Sequence, residues 1–390
     1  MRKAPCAAVA PRGVCAYAAG MRHDPLPPLD FAVAACRLTI DVGASVANWR
    51  DIAARAKSET GAAVKADAYG LGAELIAPAL TRAGCKTFFV ATIEEGANLR
   101  RVAPDARIFS VSGLWPGQEA LAISRRIVPV AASPEQLDLI AGLGGALDHA
   151  LFIDTGMNRL GLTPEQAAAY AQSGGRPVMV MSHLSCADEP DHAMNARQNE
   201  SFQPLAALFA EAESSLSSSA GILLGPDYHY DLTRPGIALY GGMTLGGFTP
   251  RPVATAEARV VQIRNARAGL TVSYGARQKL QRDSRIAILG AGYADGWHRA
   301  ASGAGTPLRD AGLACGAVSM SGYRAPILGR VTMDLTMVDV TDIPEDLVRT
   351  GDYAEFFGPN MPIEEAARAA GTISYEVLTS LGKRYVRRII

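Results

Sequence analysis

Between Arg37 and about Leu270 short apolar runs alternate with amphipathic stretches: RLTIDV, ASVANWRDIAARA, AAVKADA, AELIAPALTRAG, TFFVAT and IEEGANLRR. Short apolar runs bounded by turn residues read as buried strands; apolar positions recurring every three to four residues read as helices turned to a core. The alternation continues through ARIFSVSG, RIVPVAA, ALFIDTG, PVMVMSHL, SSLSSSAG and PGIALYG, with SPEQLDLIAGLG and PEQAAAYAQS as helices between them. Repeated strand–helix units predict an α/β fold, an N-terminal (β/α)8 TIM-type barrel, which takes roughly 250 residues. An open dinucleotide-binding sheet wants G-x-G-x-x-G after its first strand, and that fingerprint is missing. Beyond Leu270 the texture changes to RIAILG, APILGRVTMDLTMVDV and DYAEFFG, separated by Gly and Pro turns, with one helix near Ile363 to Ala370. This predicts a separate C-terminal, mostly-β domain. The expected division is an N-terminal extension over 1–35, in part without fixed structure, a barrel over 36–270 and a β domain over 271–390.

Composition narrows the function more than the fold. With 390 residues, 48% hydrophobic and 19% charged, the chain reads as globular, and no apolar stretch reaches bilayer length. Lys plus Arg (38) equals Asp plus Glu (38), so no strong field points to nucleic acid or a membrane surface, and a small-molecule ligand is favoured. Cys6, Cys15, Cys36, Cys85, Cys186 and Cys315 are scattered without C-x-x-C, which fits reduced thiols in a cytoplasmic protein. His183, Cys186, Asp188 and His192 lie close in sequence, but their spacing matches no common zinc pattern, and no metal is expected. Arg2 and Lys3 precede an Ala-rich run in the manner of a weak signal peptide, yet Pro11 and Arg12 interrupt it, and Met21 offers a second start.

Lys65 ends the apolar run in VKADAYG, where a barrel strand would deliver it to the catalytic face. A lysine there is either paired with a carboxylate or used as a Schiff-base nucleophile, and its position does not separate the two. The wider pattern does. KADAYGLGA closely resembles the lysine motif of alanine racemases, and further motifs of that family follow in order over residues 36–390. They are DTGMNRLG at 154–161, MSHLSCADEPDH at 181–192, SSSAG at 217–221, RPGIALYGG at 234–242, VSYGA at 272–276, GYADGW at 292–297, GRVTMD at 329–334 and SYEVLTSLG at 374–382.

The resemblance implies an isomerase that uses pyridoxal 5'-phosphate, either to supply D-alanine for peptidoglycan or in alanine catabolism. It implies that Lys65 bears the cofactor and that Tyr69, Ser219, Gly236, Ile237 and Tyr375 hold its phosphate. Arg234 would face the pyridine nitrogen and His183 would lie beside the ring, linked to Arg234. Racemisation needs a base on each face of the substrate Cα; the resemblance makes these Lys65 and Tyr274, the latter from a partner subunit, so that a homodimer shares its active sites. Arg159 and the Met333–Asp334 pair would orient the substrate carboxylate and shape the pocket, and Tyr293 with Tyr375 would narrow its mouth.

Three positions depart from the family pattern. Phe152 stands where many members carry a lysine seven residues before Arg159, which must then be steadied by a bound anion or by Asn158. Ser218 replaces an asparagine of the phosphate turn, and Arg277 follows VSYGA in place of threonine. Rival readings are a racemase of another small amino acid such as serine, a decarboxylase of the same fold, and a non-catalytic cofactor carrier. A decarboxylase would place an acid at the pyridine nitrogen, against Arg234, and a carrier would end near residue 240.

Overall fold

A computed structural model describes residues 29–390; the part of the expected extension over 1–28 lies outside the described residues. A parallel seven-stranded sheet runs in chain order through Ala62–Ala63, Thr87–Val90, Arg107–Ser110, Ile127–Ala131, Ala150–Phe152, Met179–Met181 and Glu213–Ser215. Leu232–Thr233 closes it by pairing in parallel with Glu59–Thr60. Main-chain bonds finish the seam: Ala63 N–H to Pro235 O on one side, Asp231 N–H to Ser214 O and Arg234 N–H to Ser217 O on the other. The barrel read from the alternation is therefore present.

Local signals set its helices. Thr92, Ser133 and Thr163 each cap a helix by accepting from the N–H three residues on, and Pro134 and Pro164 begin theirs, as caps and first-turn prolines do. Inside the barrel Ala63, Phe89, Phe109, Val130, Phe152, Met179, Met181 and Leu232 pack into one apolar cluster. The barrel is thus filled, and chemistry is left to the rim at its strand ends.

The second region is built on the 13-residue strand Ala254–Ala266. It pairs antiparallel with Cys36–Ile40, Ser284–Leu289 and Tyr353–Phe357, while Val386–Ile389 lies parallel to Cys36–Ile40. Two segments on the barrel side of the expected 270/271 boundary, 36–40 and 254–266, thus belong to this sheet. Residues 254–260 alternate buried and half-buried, the pattern of a strand with one covered face, whereas barrel strands are buried on both. RLTIDV carries no such signal, because its partners lie far along the chain. The expected helix is Ile363–Ala369, and a second, Ser374–Thr379, follows it.

Candidate active site

Lys65 leaves the barrel just after Ala62–Ala63, and the chain then turns the wrong way. Ala66, Asp67, Ala68 and Tyr69 have φ of 52, 55, 53 and 56°, and none is glycine. A left-handed residue with a Cβ costs roughly 1–2 kcal/mol, so this turn costs on the order of 4–8 kcal/mol that its surroundings must offset. Its bonds are many: Ala68 N–H to Val64 O, Gly70 N–H to Ala66 O, Gly72 N–H to Asp67 O, and Ala73 N–H to the Asp67 carboxylate at 2.8 Å. Gly70 closes the turn at φ 86°, where a Cβ would meet Leu378 O at 2.8 Å.

The Lys65 amine opens into a cavity of about 440 Å³ that Tyr69, Ile373, Tyr375 and Glu376 also line. It titrates below the ordinary lysine range, first because protein surrounds it, then because Arg159 and Arg234 repel its charge, with Glu95 opposing them. His183 is held down to about 3 by burial and by the same three cations, Arg234 foremost, so it is neutral. Arg234 is buried and pulled down to about 10 by that burial, still protonated at pH 7. Its guanidinium donates to Ser215 Oγ at 2.5 Å, Ser182 O at 2.7 Å and Leu216 O at 3.3 Å. The link to His183 expected above is absent from the described hydrogen bonds; the nearby serine and carbonyl oxygens take the donors instead.

Beyond Arg234, Ser219 Oγ accepts from Gly236 N–H at 2.8 Å and Ala238 N–H at 3.3 Å. A hydroxyl that accepts twice still has its own proton to donate. Gly236 is required by close approach, since a Cβ there would lie 2.2 Å from the Tyr69 hydroxyl oxygen. Tyr69 lies between Tyr240 and Tyr375, ring centres at 4.6 and 5.9 Å. Hydroxyls of Ser219, Tyr69 and Tyr375 and the turn at Gly236–Ile237 thus gather beside Lys65, with Ser218 main chain bridging to Arg234. A bound phosphate dianion would meet donors here, and an aldehyde would meet an amine of lowered pKa; the residues fit pyridoxal phosphate.

Arg159 is exposed and among the described residues has no hydrogen-bond or ion-pair partner. Phe152 lies in the barrel-interior cluster, its ring beside Gly161, where a Cβ would come within 2.9 Å. Asn158 does not steady the arginine: its amide reaches Gly156 O at 3.5 Å, and its backbone is left-handed at φ 54°. His192 is spent on a helix, its Nδ1 accepting from Met194 N–H at 3.1 Å.

Tyr274, Met333 and Asp334 are elsewhere. They line a second cavity of about 590 Å³ with Tyr293, Arg299 and Arg330, on the β region, and Tyr274 is 71% exposed. This wall rests on a buried anchor: Asp295 is fully buried and accepts from Arg384 Nε and Nη2, both at 2.7 Å, while Arg384 Nη1 reaches Asp334 at 2.7 Å. Neither Asp295 nor Arg384 is singled out by sequence reasoning, although GYADGW contains the former.

Glu95 and Tyr240 were missed too. Glu95 accepts from Ala66 N–H at 2.9 Å and Ala91 N–H at 2.7 Å; Tyr240, fully buried, donates to Ala63 O at 2.8 Å. The Thr92–Glu95 spacing signals a capping box, but not a carboxylate that reaches past its own helix.

Two family models account for nearly all the described chain: the alanine racemase N-terminal domain over residues 40–244 and the alanine racemase C-terminal domain over 253–389. The chain is 53% identical over 371 residues to "Alanine racemase, biosynthetic" of Agrobacterium fabrum, covering 92% of this chain and 95% of that protein. It is 43% identical to "Alanine racemase, catabolic" of the same organism, covering 90% and 92%. Among solved structures, biosynthetic alanine racemase from Pseudomonas aeruginosa superposes with a TM-score of 0.84 at 34% identity, over 92% of this chain and 99% of that one. Alanine racemase from Bartonella henselae with covalently bound pyridoxal phosphate gives 0.83 at 37%, over 92% and 100%.

Proposed function

The chain belongs to the alanine racemase family, and from that premise we propose that it interconverts L- and D-alanine with pyridoxal 5'-phosphate carried on Lys65 and a second base, Tyr274, supplied by another copy of the chain. When bound, the cofactor supplies the electron sink that acidifies the substrate Cα proton. Ser219, Tyr69 and Tyr375 with the Gly236–Ile237 main chain would hold its phosphate. Arg234 cannot accept a proton, so it would keep the ring nitrogen unprotonated, and neutral His183 offers the ring a flat, uncharged neighbour. Arg159 would orient the substrate carboxylate, and Met333 and Asp334, which stand on the Tyr274 wall, would come with it from the other copy and shape the pocket.

The observation that carries the reading is the Lys65 amine, open to a cavity and lowered in pKa by burial and two arginines, beside the clustered hydroxyls of Tyr69, Tyr375 and Ser219. A lowered amine pKa makes Lys65 a readier proton acceptor and donor than an ordinary lysine. The two-copy arrangement is supported by geometry: within one chain Tyr274 lines a different cavity from Lys65, so the opposite Cα face needs a group from elsewhere.

The test is a chiral assay of the purified protein with pyridoxal phosphate, offering L-alanine and L-serine separately and following enantiomer formation and carbon dioxide. D-alanine forming fastest without carbon dioxide is the expected result. Carbon dioxide release, faster turnover of serine, or inertness toward both would overturn it.

A further inference from the structure

We propose that Glu95 is a positioning residue for Lys65: its carboxylate bridges the ends of two neighbouring barrel strands and holds the left-handed turn on which the lysine stands. The inference rests on the reading of Lys65 as the cofactor-bearing lysine.

Ala66, whose N–H bonds to Glu95 Oε1 at 2.9 Å, directly follows Lys65 and is the first left-handed residue. Ala91, whose N–H bonds to Glu95 Oε2 at 2.7 Å, directly follows the strand Thr87–Val90. These two strands are neighbours, paired through Ala62–Phe88 and Ala63–Phe89, and the last ladder bond between them is Val64 N–H to Phe89 O at 2.9 Å. Beyond that point the left-handed turn takes the chain out of the ladder, and the carboxylate replaces it with one acceptor for each strand end.

The bridge is itself held rigidly. Glu95 is the third residue of the helix Ile93–Arg100, and its N–H donates to the capping Thr92 hydroxyl. A negative charge is favoured in a helix's first turn, and here it also faces the Lys65 amine, raising its pKa against burial and Arg159. Two donors converging on one side chain demand two acceptor oxygens at glutamate's reach. Glutamine offers one oxygen and presents an NH2 to the other donor, while aspartate keeps the charge but lacks a methylene.

Glu95→Gln and Glu95→Asp in the full chain, reconstituted with pyridoxal phosphate, test the proposal. Both variants are expected to keep the visible absorbance of lysine-bound cofactor and a KM for alanine within about threefold of wild type. Their kcat should fall about 10- to 100-fold, as misplacement by about 1 Å does. The visible circular dichroism of the bound cofactor should weaken, and amide exchange at Ala66 and Ala91 should speed up. Wild-type kcat and dichroism in both variants overturn the bridge; so does a wild-type Glu95→Asp beside an impaired Glu95→Gln, which would mean that charge alone matters. Should Glu95→Gln not fold, Glu95→Asp decides by the same readouts. Absence of lysine-bound absorbance in the unsubstituted protein defeats the reading of Lys65 and the bridge with it, and is told apart because it precedes any substitution.

Discussion

The barrel cavity and the β-region cavity are opposites. Around Lys65 the cations gather on one amine, with Arg159 and Arg234 beside a neutral His183, and the backbone is held in an unfavourable turn. Around Tyr274 the tyrosine itself is mostly exposed, and the support behind it is a buried Asp295 that holds the half-exposed Arg384. On the proposed reading the first binds anions and tunes one amine, and the second presents side chains outward. Neither alone has a base for each face of a substrate, which is why the proposed enzyme needs both from different copies.

Substitutions should separate the two walls. Lys65→Ala is expected to abolish turnover and the visible absorbance of lysine-bound cofactor; retained activity would remove Lys65 from the site. Tyr274→Phe should spare the absorbance but slow Cα proton exchange from L-alanine about 100-fold or more, and from D-alanine much less, because each base serves one face. Equal slowing would refute the division of labour. Mixing Lys65→Ala with Tyr274→Phe subunits should restore about a quarter of wild-type turnover, since half the dimers are mixed and each has one complete site; no recovery would place both bases in the same chain.

Smaller effects concern stability. Asp295→Asn leaves Arg384 without its buried partner, and with Arg384 half exposed the cost should be about 2 kcal/mol. A calorimetric melt checks this, and an unchanged midpoint would show that the β wall does not rest on the pair. In the barrel wall His183 is held down to about 3, below its unfolded value of about 6.5. The unfolded chain therefore binds the proton first, and His183 costs stability as pH falls below about 6.5. His183→Gln should reduce the loss of stability between pH 6.5 and 5 by roughly 1.5 kcal/mol; identical pH slopes would show that the imidazole stays protonatable when folded.

What sequence reasoning reached, it reached through local periodicity and through side chains whose chemistry is distinctive. The barrel follows from alternating runs because each strand–helix unit carries its own pattern. Residues 36–40 were placed in the wrong sheet because an apolar run does not say what it pairs with. The left-handed turn was illegible, since KADAY contains no glycine to announce positive φ. Phe152 was legible as a departure, but not its consequence, an arginine without a partner among the described residues. Glu95 was hidden because its targets are main-chain N–H groups just past the ends of two strands, and main chain carries no letter.

The pairing of residues 36–40 with both 254–266 and 386–389 has a further consequence for how the chain is threaded. Topologically the barrel is an insert: the chain leaves the β sheet after Ile40 and returns before Ala254, and the crossings are stapled by Asp41 N–H to Val253 O at 2.8 Å and Val42 N–H to Ile390 O at 3.1 Å. On the ribosome the first strand is made long before either neighbour exists, so it must wait, unpaired, while the whole barrel emerges.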